Sequence, residues 1–94
     1  MKDTTKFDRL VAIIDTLRSP DGCPWDREQT HESIKQYLIE EAFEVIEAVE
    51  EDNDEDICEE LGDVLLHVIF HAQLASERGA FDITDVIDGI TEKI

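Results

Sequence analysis

LIEEAFEVIEAVE, residues 38–50, is the stretch whose reading decides the fold. Its apolar residues recur at three- and four-residue intervals, the spacing of a helix with one dry side. Working outward at about 100° per residue, Ile34, Leu38, Ala42, Val45 and Val49 fall on one arc. The acids of this helix are not equivalent. Glu40, Glu47 and Glu51 fall towards solvent. Glu41 lands at the edge of the arc, between Ile34 and Ala48, and Glu44 lies beside Tyr37. A helix is expected from about Glu32 to Glu51, with two carboxylates bordering its dry side.

Three more helices are expected around it. Phe7, Leu10, Ile14 and Leu17 define one over Lys6–Arg18, stopped by Ser19-Pro20. Residues 19–30, SPDGCPWDREQT, read as an irregular connection in which Pro20-Asp21-Gly22 is a turn signal. Asp52-Asn53-Asp54 ends the central helix and caps the next, which runs to about Arg78 and closes at Gly79. The last begins near Asp82, with Phe81 and Val86 placed for a hydrophobic staple, and still runs at Ile94. A helix without a stop signal makes a longer native chain the expectation. The fold class is all-α: four main helices in an antiparallel bundle and a single domain over residues 1–94.

The helix after residue 54 is apolar nearly all round. Ile57, Leu61, Val64, Leu65, Val68, Ile69 and Ala72 form its wide face, and Leu66, Phe70 and Leu74 extend it. Such a helix is expected to be buried on more than one side. One narrow polar stripe survives, with Glu60, Asp63, His67 and His71. Glu60 and Asp63 are i,i+3 neighbours, as are Glu41 and Glu44. On consecutive antiparallel helices the two pairs are placed to face each other.

Four facing carboxylates repel and are costly to desolvate, and no basic residue lies in either stripe. A hard divalent cation resolves the conflict, because Mg²⁺ takes oxygen ligands and keeps several waters. The candidate metal ligands are Glu41, Glu44, Glu60 and Asp63. The alternative is four half-exposed acids at a groove edge. His67 and His71 are i,i+4, but HVIFH lacks the glutamate of HExxH, and a packed, hydrogen-bonded pair is the commoner use. Glu28 and His31 give the Glu-x-x-His letters of a di-iron site once, in the wrong segment.

Charge narrows the function classes. The chain has 25 Asp and Glu against 8 Lys and Arg, a net charge of −17. That argues against binding to nucleic acid or to an anionic membrane, which needs a positive footprint. It also means that an anionic substrate requires a cation between it and the protein. Cys23 and Cys58 form neither a disulfide framework nor a zinc spacing. The N-terminus has no apolar signal-peptide core and no run approaches a membrane span; a cytoplasmic setting is the expectation.

Taken together, four segments resemble a known family. EEAFE (Glu40–Glu44) and ELGD (Glu60–Asp63) resemble the EExxE…ExxD signature of the MazG-type nucleoside triphosphate pyrophosphohydrolases. LRSPDGCPWDREQTHESI, residues 17–34, resembles that family's LR-x-P-x-G-CPWD-x-x-QT segment, and RGAFDITDVIDGITEKI resembles the family's segment C-terminal to ExxD. The resemblance implies an all-α homodimer that hydrolyses nucleoside triphosphates between the α and β phosphates. Monophosphate and pyrophosphate are the products, and Mg²⁺ is needed, with Mn²⁺ as a substitute. By position it implies Glu41, Glu44, Glu60 and Asp63 as ligands, with Glu40 orienting a ligand or water. Glu41 or Glu44 is the candidate proton acceptor. Trp25 is a candidate to stack on a base, with loop anchoring as the alternative. Arg27, Lys35 and Lys93 are candidates for phosphate contact, with exposed surface charge as the alternative. A second hypothesis, from another class, is a catalytically silent dimerising module with a vestigial metal site.

Overall fold

A computed structural model describes residues 5–94, which form five helices and no strand. Helix α1 spans Lys6–Arg18, α2 Pro24–Glu28, α3 His31–Glu50, α4 Asp54–Glu77 and α5 Ile83–Lys93. The all-α expectation holds, with one helix more than expected. The extra helix, α2, lies inside the segment read as irregular. Pro24 occupies its first turn, where a missing N–H costs nothing. Five residues are too few to reveal a helical period in sequence.

Each longer helix begins on a side chain that takes up free N–H groups of its first turn. Thr5 Oγ1 accepts from the Asp8 N–H at 3.0 Å. Thr30 and Ser33 form a capping box that starts α3 at His31, one residue before the expected start. Asn53 caps α4 through the Asp56 N–H, and Asp82 caps α5 in a box with Asp85. Gly79 follows α4 with φ 74°, the left-handed conformation that glycine adopts without strain.

Helices α3 and α4 pack along each other as an antiparallel hairpin, the principal contact of the chain. Its turn is short. Asp52 takes φ 59°, and the Asn53 N–H donates to the Ala48 carbonyl at 3.2 Å. A short turn fixes the register, so residues equally far from it meet across the hairpin. Glu41 meets Glu60 and Asp63, Tyr37 stacks by His67, and His31 stacks on His71. Helix α1 packs against α4 and α2, and α5 packs against α4.

The core lies at the end of the hairpin away from its turn. Ile14, Ile34, Ile69, Phe70 and Leu74 are buried together, with Phe7, Leu10, Val11, Leu17 and Ile83 packed on them. Towards the turn the hairpin stands uncovered. Ile39, Phe43, Ile46 and Val49 on α3, and Leu61 and Leu65 on α4, are exposed. The expected burial of α4 on more than one side is therefore met only from Ile69 onward, where α1 covers it. Val49, placed on the dry arc in sequence, is 54% exposed, because none of the described residues covers that end.

Candidate functional site

The hairpin register brings three of the four predicted ligands together. Glu41, Glu60 and Asp63 offer carboxylate oxygens that lie within 4.8 Å of one another. Glu44, one turn along α3, is exposed and stands outside this trio. Two of the oxygens, Glu41 Oε2 and Glu60 Oε1, are shut off from solvent and have no hydrogen-bond partner among the described residues. Desolvation, followed by the repulsion of Asp63 and Glu44, raises the Glu41 carboxyl above its usual range. Desolvation, then a hydrogen bond with Asp63 and the charges of Glu44 and Asp63, pushes Glu60 up to about 7.

An uncompensated carboxylate cluster is either protonated or neutralised by a cation. The donor set fits a hard divalent ion: oxygen ligands only, converging from two rigid helices, with acceptor atoms left unused. In the chain itself no cation answers the charge among the described residues. Lys35 pairs with Glu32 on the outer face of α3, and both side chains are largely exposed. Arg27 is exposed on α2, and Lys93 is exposed at the end of α5.

Beside the trio lies a cavity of about 320 Å³. Ile14, Leu17, Ile34 and Phe70 make it mostly apolar. Trp25, Tyr37 and His67 add rings, and Glu41 joins it to the carboxylate cluster. Trp25, a candidate from sequence, is 55% exposed here and so is open to a ligand. The sequence does not single out Tyr37, His67 or Asp26 for this role. Tyr37 and His67 meet through the hairpin register, and Asp26 joins them when α2 packs on α1, which no spacing in the sequence announces. Burial lowers the proton affinity of His67, which keeps its imidazole neutral against the nearby charge of Asp63.

His71 pairs with His31 of α3 and not with His67, its expected partner, because the hairpin register sets His31 opposite His71 and Tyr37 opposite His67. The Nδ1 atoms of His31 and His71 are 2.8 Å apart, and Arg78 reaches His31 Nε2 at 3.3 Å. A guanidinium only donates, so His31 Nε2 accepts and its Nδ1–H donates to His71 Nδ1. His71 then carries its proton on Nε2, which is enclosed and unpartnered among the described residues. The pair is thus occupied in internal bonding.

A model of the MazG nucleotide pyrophosphohydrolase domain matches residues 29–94, the part that holds the hairpin and its carboxylates. The chain belongs to that family. It is 64% identical over 88 residues to the nucleoside triphosphate pyrophosphohydrolase/pyrophosphatase MazG of Thermotoga maritima, covering 94% of this chain and 34% of that protein. It is 44% identical over 90 residues to the nucleoside triphosphate pyrophosphohydrolase of Escherichia coli K12, covering 95% of this chain and 34% of that protein. An uncharacterized protein of Bacillus subtilis, YabN, is 53% identical over 89 residues, 95% of this chain and 18% of its own length. This MazG domain therefore spans about a third or less of these relatives. No helix of the described residues is long and apolar enough to cross a membrane.

Proposed function

We propose that this MazG domain hydrolyses nucleoside triphosphates between the α and β phosphates, in a Mg²⁺-dependent reaction that serves nucleotide-pool housekeeping in the cytoplasm. The observation that carries the reading is the adjacency of two features: three under-neutralised carboxylates and an apolar, ring-lined cavity that share Glu41. A nucleotide has the matching polarity, with a flat apolar base at one end and a polyanion at the other.

In this reading Glu41, Glu60 and Asp63 hold Mg²⁺, with Mn²⁺ as a substitute. Bound there, the ion neutralises phosphate charge and lowers the pKa of a water molecule. The base enters the cavity and stacks on Trp25. Water adds at the α phosphorus, the anhydride bond to the β phosphate breaks, and monophosphate and pyrophosphate leave. The proton released from water goes to a carboxylate oxygen. Glu41 and Glu44 are the candidates, and Glu44 is the one outside the convergent trio. Glu40, exposed beside Glu41, adds to the field on that carboxylate. Arg27 and Lys93 are the exposed cations assigned to phosphate contact, together with Lys35 once it leaves Glu32.

The domain acts as a homodimer. Its accessible surface is 6982 Å², against about 5500 Å² for a folded monomer of 10.7 kDa. The radius of gyration is 14.7 Å, against about 12 Å for a globule of this length. Exposed apolar residues of the hairpin, Ile39, Phe43, Ile46 and Leu61 among them, contribute to that excess, which is of the size that an obligate interface hides on each chain.

The test is a panel of NTPs and dNTPs with Mg²⁺, read for monophosphate and pyrophosphate. Formation of diphosphate and orthophosphate would overturn the bond assignment. Absence of turnover with metal binding intact would favour a silent binding module. Glu44→Gln separates the two roles of that residue: loss of a base lowers kcat alone, whereas loss of a ligand also weakens metal binding.

A further inference from the structure

The reaction leaves Arg18 without a role, yet this side chain makes the densest set of polar contacts in the described residues. Its side chain is only 10% exposed. Nη1 donates to the main-chain carbonyls of Asp26, at 2.6 Å, and Gln29, at 3.0 Å. Nε and Nη2 donate to the two carboxylate oxygens of Glu77, at 3.0 and 2.5 Å. The guanidinium also stands 5.8 Å from the centre of the Phe70 ring, and Phe70 lines the cavity.

These contacts fall where α2 needs them. A five-residue helix has too few internal bonds to hold itself, and its last carbonyls have no partner within the helix. Arg18 satisfies one carbonyl in α2 and the carbonyl of the residue that ends it. The same helix presents Trp25 and Asp26 to the cavity. The ties continue on the far side: Gln29 Nε2 donates to the Trp25 carbonyl at 2.8 Å, and Ser33 Oγ donates to Gln29 Oε1 at 2.8 Å. At the other end the approach is equally close. A side chain at Gly22 would meet the Leu17 and Thr16 carbonyls at 2.3 Å, so the loop before α2 lies flat on the end of α1.

We propose that Arg18, oriented by Glu77, is a positioning residue that fixes α2 as the Trp25 wall of the cavity and thereby sets nucleotide affinity. Resting on the nucleotide reading above, this assigns to Arg18 an effect on binding and none on the hydrolytic step. Lysine is no substitute, because one ammonium does not match the planar fork that serves two carbonyls and a bidentate carboxylate at once.

The experiment compares Arg18→Lys, Glu77→Gln and Gln73→Ala in the full chain with Mg²⁺. Gln73 bonds to Asp15 and Glu77 but makes no hydrogen bond with α2, so it controls for general weakening of the α1–α4 contact. KM and kcat are measured on the NTP that the wild type turns over fastest. Quenching of Trp25 fluorescence by nucleoside monophosphates, AMP, GMP, CMP and UMP, gives a Kd that needs no turnover; Trp25 is the sole tryptophan. Loss of a preorganised wall predicts a rise of about tenfold in KM and Kd for Arg18→Lys with kcat within about twofold. Glu77→Gln moves both in the same direction by less, and Gln73→Ala moves neither. If Arg18→Lys fails to fold, Glu77→Gln against Gln73→Ala decides. Unchanged Kd in a folded Arg18→Lys, a fall in kcat alone, or no quenching of the wild type by any of the four overturns the inference. Quenching that weakens in Arg18→Lys without turnover of any triphosphate supports it while removing the pyrophosphohydrolase reading.

Discussion

Two glutamates on α4 meet opposite fates. Glu77, at the C-terminal end, accepts two hydrogen bonds from Arg18, and that bonding holds its carboxyl below the usual range. Glu60, near the N-terminal end, is surrounded by other acids and is pushed up to about 7. One helix thus carries an acid whose charge the chain itself compensates and an acid whose charge it does not. The apolar residues divide in the same way. Ile69 and Leu74 are buried by α1 and α3, whereas Leu61 and Leu65 lie bare. The C-terminal half of α4 is finished by contacts with α1 and α3; the N-terminal half keeps uncompensated acids and bare apolar residues.

The largest test of that division is Asp63→Asn or Glu41→Gln. Turnover should fall by about a thousandfold, near 4 kcal/mol in barrier height, while the metal-free protein melts at a higher temperature because repulsion has been removed. Activity lost together with metal-free stability would break the comparison, since it would make the trio part of the structural core.

Core substitutions should follow the same boundary. Ile69→Ala should cost about 3 kcal/mol in urea unfolding, as cavity-forming changes do. Leu61→Ser should leave the isolated chain within about 0.5 kcal/mol, as exposed positions do, while shifting sedimentation to the 10.7 kDa single chain. An unshifted, larger species in Leu61→Ser would place the dimer contact elsewhere.

The third test uses pH. Glu60 is raised from 4.5 to about 7 in the fold. Its contribution to stability is full below pH 4.5 and is lost as pH rises through 7. His67 and His71 are lowered from 6.5, mainly by desolvation. Their contribution is present above pH 6.5 and is lost as pH falls below it. Between about pH 6.5 and 7.5 the tail of the histidine effect opposes the carboxylate effect, and the difference between metal-free and Mg²⁺-bound protein isolates the latter. Mg²⁺ at matched ionic strength should raise Tm by more at about pH 7.5 than at about pH 6.5, and Asp63→Asn should weaken that pH dependence. A stabilisation equal at the two pH values would mean that the ion binds elsewhere.

The last test concerns the compensated acid. Glu77→Gln should cost about 1 kcal/mol, since a charged hydrogen bond is lost at a half-open site, and metal affinity measured by titration calorimetry should not change. A change in metal affinity would couple the two ends of α4.

Much of this is legible in the sequence. Glu41 stands out because it falls at the edge of a dry arc, and Glu60 and Asp63 because they interrupt an apolar helix. Helix ends at Asn53, Gly79 and Asp82 follow from local chemistry, in which a side chain or a missing Cβ settles a few backbone groups. Arg18 gives no such signal. A single arginine at the end of a helix is ordinary there, and its partners lie eight, eleven and 59 residues away. The bare stripe of Ile39, Phe43 and Ile46 escapes notice for a related reason. Apolar spacing says that a face seeks cover and does not say whether this chain supplies it.

By itself, then, the sequence determined the four longer helices, the ends at Asn53, Gly79 and Asp82, and the acidic character of the centre, because period, capping and charge act within a turn or two of helix. Tertiary structure decided which acids converge, that Glu44 stands apart from the trio, and that α2 closes a cavity beside it. Those outcomes depend on the register of a hairpin and on the reach of one guanidinium from α1 to α2 and α4, and both are set by contacts between residues far apart in the chain.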